Sequence, residues 1–332
     1  MRLTKIVLGA LLPVALTAGV VLSPASEVSA ASPPPTTTSW YVGSNWYNTF
    51  NGKTDPSKSV WWNFGYNASN GGEVILDFAR LDISGGVYGL DPWEYGFQSF
   101  STVQNEIEQV MVGYDANSAH TQNVDLIIGT SNSGDNGYTQ AEYTTFAQDI
   151  RTMLSTLEPL SIGVFPDFGD DVEPQWGAPI YPEEFLSAYD TADQGYPFDF
   201  WDYGWLDGTV TSSSTSNTSC SAYGVTQKTG QWTWSYPTGW TPCDLDYLAF
   251  NGYAQAPFLQ IYDSSWANQL QELDLWSYDN APDGVWNVLV ILAGAGYISP
   301  DTAWQDTLTA LQSNTNTYQS NIPYLSQMQA LN

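Results

Sequence analysis

Three consecutive pieces decide how this chain folds: Val124-Asp125-Leu126-Ile127-Ile128, then Thr139-Gln140-Ala141-Glu142 leading a segment that runs to Leu157, then Ser161-Ile162-Gly163-Val164-Phe165. The first and third are short apolar runs of β-forming residues, and the middle one has a helical period. Its Tyr143, Phe146, Ile150, Met153, Leu154 and Leu157 fall on one stripe. Thr139 with Glu142 three residues on is a capping box, in which each side chain satisfies the other's backbone N–H. A strand, a helix and a strand in that order place the two strands parallel.

The alternation continues outward. Val74 to Phe78 reads as an earlier strand behind Gly71-Gly72, and Val60 to Phe64 as the first candidate strand. Ser101 to Tyr114 reads as a helix capped by Ser101, with Val103, Ile107, Val110, Met111 and Tyr114 at helical spacing. Downstream, Phe198 to Tyr203, Asp246 to Phe250, Phe258 to Tyr262 and Val288 to Leu292 read as strands, and Tyr181 to Tyr189 as a short helix. Ser299-Pro300 opens a last helix with Trp304, Leu308 and Leu311 turned inward. An α/β chain of this length with such alternation predicts one (β/α)8 TIM-like barrel domain over residues 39–332. The Ser-, Thr- and Trp-rich stretch 209–243 interrupts the pattern and reads as an insertion.

At the start, Arg2 and Lys5 precede an apolar run from Ile6 to Leu22, and Val28-Ser29-Ala30 offers a small-residue cleavage site. Residues 1–30 therefore read as a secretory signal peptide, with a soluble extracellular chain beginning near Ala31 and no membrane insertion of that mature chain. The Pro/Thr-rich residues 31–38 read as a linker. Export also places Cys220 and Cys243 where disulfides persist, so these two are expected to bond and close the insertion.

Without the signal, which holds two of the seven Lys and Arg and one of the 35 acids, the formal charge is −29. The imbalance comes from missing cations rather than from extra carboxylates. Such a chain has few groups left to repel one another once its acids protonate, which points to an acidic working environment. Nucleic acid and anionic membranes are excluded as partners, since both need Lys and Arg. Neutral ligands fit better, and 15 Trp, 21 Tyr and 13 Phe provide apolar rings for sugars as well as for the core.

The third strand runs into Asp167, Asp170, Asp171 and Glu173, four carboxyl groups within seven residues. In a parallel barrel, active groups sit at the carboxyl ends of the strands. Asp77, Asp167, Asp170, Asp171, Glu173, Asp202, Asp207 and Asp263 all lie in or just past expected strands. Extended backbone turns Asp171 and Glu173 to one face, about 6.6 Å apart at Cα. Paired carboxyls suit glycoside cleavage, where a protonated one donates to the leaving oxygen and an ionised one attacks or assists.

Each acid also has a plainer reading. Asp77 fits a structural acceptor inside the barrel, and Asp167 and Asp170 fit the Gly169 turn. Asp202, Asp207 and Asp263 fit loop acids, and His120 a loop residue. For Asp171 and Glu173 the competing readings are a calcium site or open solvent. The candidates are Glu173, Asp171 and Asp77 for catalysis, and Trp176, Asp167, Asp202, Trp205 and Asp263 for substrate. Neither a cofactor nor a resident metal is expected. One histidine and no Gly-x-Ser-x-Gly elbow argue against a serine hydrolase, and no phosphate loop or complete dinucleotide motif occurs.

The run Asp170-Asp171-Val172-Glu173-Pro174-Gln175-Trp176 resembles the Asp-Ile-Glu-Pro-Ser-Trp signature of a group of secreted bacterial barrel proteins. Ile127 to Gly134, Tyr203 to Gly208 and Gln260-Ile261-Tyr262 fit the same group in order. More distantly, Asp171-Val172-Glu173 is similar to the Asp-x-Glu strand end of the family 25 glycoside hydrolases, the muramidases. That resemblance implies Glu173 as proton donor and Asp171 as its electrostatic partner. The muramidases also carry an Asp on their first strand, where Val60 to Phe64 has none. Two functions follow as expectations: an acid-tolerant hydrolase of a neutral polysaccharide or peptidoglycan, or a non-catalytic carbohydrate-binding protein of the cell surface or spore coat.

Overall fold

The computed structural model describes residues 31–93, 96–133, 137–192, 199–205, 209–210, 219–220, 225–226, 234–235, 240–250, 257–280 and 287–329. Seven parallel strands make its main sheet: β1 (Thr36–Tyr41), β2 (Gly72–Asp77), β3 (Val124–Ser131), β4 (Val164–Asp171), β5 (Phe200–Asp202), β6 (Val290–Gly294) and β7 (Tyr324–Gln329). Their order is β6-β7-β1-β2-β3-β4-β5, so every strand lies beside its neighbours in the chain except β5 and β6, which form the two edges.

The two edge strands meet through one segment, Phe258–Ile261. Phe258 N donates to Asp202 O (2.9 Å) and Gln260 N to Gly204 O (3.2 Å) on one side. Ile261 N donates to Leu292 O (2.8 Å) on the other, and Gln260 forms a parallel bridge with Leu292. The sheet therefore curls into a TIM-like α/β barrel. Ile75, Ile127, Trp201, Tyr203, Phe258, Val290, Leu292 and Met328 form a buried cluster of its core.

Eight helices are described: α1 (Ser44–Phe50), α2 (Val60–Asn67), α3 (Phe100–Ala116), α4 (Gln140–Leu157), α5 (Ile180–Ala192), α6 (Pro242–Phe250), α7 (Ser264–Asn280) and α8 (Pro300–Gln312). In α4 the capping box is present as expected, with both Thr139 and Glu142 engaged. An antiparallel insert of Leu81–Ser84, Val87–Leu90 and Gln98–Ser99 follows β2. No helix among the described residues is long and apolar enough to cross a membrane.

Several expected elements differ. Val60 to Phe64 is helical, because Ser59 caps it by accepting from Trp62 N (3.1 Å) and its aromatic residues bury around a helix rather than along a strand. Asp246 to Phe250 belongs to α6, started by Pro242 and by Asp244, whose carboxylate accepts from Thr241 N (2.6 Å). The cap of α3 is Ser99, not Ser101. β1 begins at Thr36, inside the stretch read as linker, and its inward Ser39 bonds Ser326 of β7 (2.8 Å) and accepts from Ile75 N (2.8 Å). The last strand of the set is β7, beyond Val288 to Leu292. Cys243 is buried in α6, while the Cys220 side chain, like Asp207 and most of the 209–243 insertion, lies outside the described residues.

Candidate active site

Beyond the carboxyl ends of the strands lies a cavity of about 470 Å³. Asp171 and Glu173 enter it together from the end of β4, with Val172 between them turned into the core. The i, i+2 spacing of extended backbone produces this pairing, as the sequence suggested. Pro174–Trp176 then forms a single 3₁₀ turn that brings Gln175 and Trp176 to the same wall.

Both carboxyl groups are held from behind. Asp171 is fully buried; its Oδ1 accepts from Gln260 Nε2 (2.8 Å), and its Oδ2 has no hydrogen-bond partner. Burial, then the neighbouring Glu173, Asp77, Asp170 and Asp202, holds its pKa well above the usual carboxylate range. Glu173 accepts from the Gln175 side-chain amide. Its backbone is clamped by the side chain of buried Asn132: Glu173 N donates to Oδ1 (3.0 Å), and Nδ2 donates to Glu173 O (3.0 Å). Asn132 N also donates to Asp171 O (3.3 Å), so this residue prolongs the β3–β4 ladder past its end.

The stretch Gly129-Thr130-Ser131-Asn132 as a whole supports the acids. A Cβ on Gly129 would overlap the Tyr203 hydroxyl. Thr130 Oγ1 donates to Asp170 Oδ1 (2.9 Å), and Ser131 lines the cavity. Tyr41, at the end of β1, and Tyr262 share a hydrogen bond between hydroxyls, and burial followed by Asp171 pushes both phenols up.

Four rings stand in a column along one wall. Trp205 stacks on Trp266 (centroids 3.8 Å, 15°), Trp266 on Tyr262 (5.3 Å, 26°) and Tyr262 on Tyr297 (4.7 Å, 19°). The outermost, Tyr297, is 69% exposed. Trp93 completes the lining.

Of the residues singled out from sequence, Asp171, Glu173, Trp176 and Trp205 meet in the cavity. The others sit elsewhere. Asp77 is buried behind the site, accepting from Ala79 N (2.6 Å) beside the Tyr203 hydroxyl. Asp202 accepts from Gly204 N (3.0 Å) and shapes that turn. Asp167 lies earlier on β4, where Trp201 Nε1 (3.2 Å) and Asp199 N (3.3 Å) donate to it. Asp263, fully exposed, accepts from Ser265 N (2.8 Å) at the start of α7. Tyr41, Asn132, Gln260, Tyr262, Trp266 and Tyr297 are site residues that the sequence does not assign on its own, although Asn132, Gln260 and Tyr262 lie in the stretches that fit the barrel group. Most follow a strand end by a few residues, which was the available signal once the strands were placed. Among the described residues, no group of three or more His, Cys, Asp or Glu is arranged to hold a metal.

No protein family's sequence model matches the chain, and no curated protein matches it. Solved structures similar to it include XacCel5A, at 12% identity over 90% of this chain and 88% of that one, with a TM-score of 0.41. Another is a GH18 chitinase from Pseudoalteromonas aurantia, at 12% identity over 81% and 90%, with a TM-score of 0.38. Both scores are too low to establish kinship.

Proposed function

We propose that this protein is a secreted glycoside hydrolase acting in acid on a cell-wall or environmental polysaccharide, either a neutral one or peptidoglycan. The observation that supports the reading best is the convergence of Asp171 and Glu173 in one cavity that seven aromatic side chains line. Glu173, with its backbone fixed by Asn132, is the proton donor to the glycosidic oxygen as the C–O bond breaks. Asp171, fixed by Gln260, stabilises the positive charge that grows on the sugar ring until water adds to that carbon and gives up a proton in place of the one Glu173 donated. Burial and the surrounding carboxyls raise the hold of Asp171 on a proton; its carboxylate, the form this role needs, is favoured as positive charge grows beside it.

Release of reducing ends from glucan, xylan, chitin and peptidoglycan between pH 2 and 7 tests this. The parent protein is expected to cut at least one of them, and Glu173→Gln to lower the rate by about a hundred-fold or more while keeping affinity. Binding without cleavage by the parent would instead assign a carbohydrate-binding protein. Neither binding nor cleavage would remove both readings.

A further inference from the structure

Three residues that line the cavity each carry a buried polar atom without a partner. Trp93 Nε1 and Trp205 Nε1 are unpaired N–H donors, and Asp171 Oδ2 is an unpaired carboxyl oxygen. A buried donor left unpaired costs free energy until an oxygen arrives, and an indole N–H can only donate.

The ring column sharpens this demand. Trp266 and Tyr262 each stack against two other rings of the column, so their electron-rich faces are largely covered and their edges remain. Ring edges carry the positive side of the quadrupole and favour oxygen, whereas a cation needs a free face. The wall therefore suits hydroxyl, ether and carbonyl oxygens better than an ammonium group.

Charge supplies the second half. None of the twelve lining residues is basic. The described cations are engaged elsewhere: Lys53 over Phe50, Lys58 over Trp62, Arg151 over Tyr189, and Arg80 paired with Asp91 at 2.5 Å. His120 stacks on Tyr114. Lys228 lies outside the described residues. An acidic ligand entering this cleft would lose water and meet carboxyl groups in its place; when ionised they repel it, and when protonated they still supply no positive charge.

Resting on the hydrolase reading above, we infer that the cleft takes an uncharged, hydroxyl-rich glycan and rejects acidic ones, so that of the two classes left open the neutral polysaccharide, not peptidoglycan, is the substrate. Calorimetric titration of Glu173→Gln near pH 6 tests this with pairs of an uncharged and an acidic ligand. These are xylo-oligosaccharides with and without a glucuronate branch, gluco-oligosaccharides with and without oxidation at C6, and chito-oligosaccharide against a peptidoglycan fragment that retains its peptide. At least one uncharged member should bind, with its acidic counterpart at least about tenfold weaker. Trp205→Ala should weaken the uncharged one. If Glu173→Gln does not fold, the parent protein with thio-linked, uncleavable versions of the same sugars gives the same comparison. Equal or tighter binding of the acidic members overturns the inference and leaves the hydrolase reading standing. Binding of neither member of any pair removes that reading, and this inference with it.

Discussion

A single hydroxyl fixes the protonation state of one buried acid. Tyr203 Oη lies 2.5 Å from the Thr130 carbonyl and 3.1 Å from Asp77 Oδ2. A phenol has one hydrogen, and a carbonyl can only accept, so the shorter contact takes it. The Asp77 contact is then a hydrogen bond only if Asp77 donates, as a neutral acid. Burial holds its pKa well above the usual range, in agreement with that count. Asp77→Asn, whose amide can donate in the same place, is expected to match the parent's stability at pH 4. Asp77→Ala should cost about 1–3 kcal/mol by leaving Tyr203 short of a partner. Urea midpoints at pH 4 decide the matter, and an Asn variant as damaged as the Ala variant would show that Asp77 accepts instead. At this scale the acids of the site were legible, because alternation along an extended strand is a rule of backbone geometry. Asn132, Gln260 and Tyr262 stand in stretches that the resemblance picked out, but their roles were not legible, because what they do depends on which strand end they meet across the barrel.

At the scale of elements, the chain spoke clearly where local chemistry was strong and misled where it was not. Thr139 and Glu142 announced α4 because a capping box is a contact between near neighbours. β1 was hidden because its inward positions are Thr37 and Ser39, hydroxyl residues that give no apolar alternation. In α2, Trp61, Trp62 and Phe64 suit either a strand or a helix until Ser59 is known to cap them. Why α2 lies so close to α3 is equally local: Gly65 faces the Val110 carbonyl and Gly113 faces that of Trp62, with no room for a Cβ at either. The two helices cross on reciprocal glycines. Gly113→Ala is therefore expected to destabilise by about 3 kcal/mol or more, although alanine is the better helix former. A urea midpoint within about 0.5 kcal/mol of the parent would show that the helices can separate without loss.

Across the whole molecule, carboxyl groups enclosed without a cation set the response to pH. Burial, then Asp125, then Asp167 pushes Glu73 up to about 9, and Glu73 sits directly across the β2–β3 ladder from Asp125. Asp167 rises to about 8 through burial and Asp199, and Glu183 to about 8 through burial and a hydrogen bond with Asp244. Burial takes Asp170 and Asp202 to about 7. Each of these groups holds its proton more tightly folded than unfolded. Their contribution is fully present below about pH 4, near the unfolded values, and is lost as pH rises through the folded values of 7 to 9. The opposite shifts, at Asp55, Glu142 and Asp263, belong to fully exposed side chains whose hydrogen bonds are screened by water. Few cations exist to repel one another in acid, so little opposes the gain there. The urea midpoint of the parent is therefore expected to be highest near pH 4 and to fall steadily to pH 9. Glu73→Gln should match the parent at pH 4 and exceed it at pH 8, because the amide keeps the donor without the charge. A parent midpoint that climbs between pH 4 and 8 would mean that paired, ionised carboxylates govern stability, and the acid-working habit inferred from composition would fall with it.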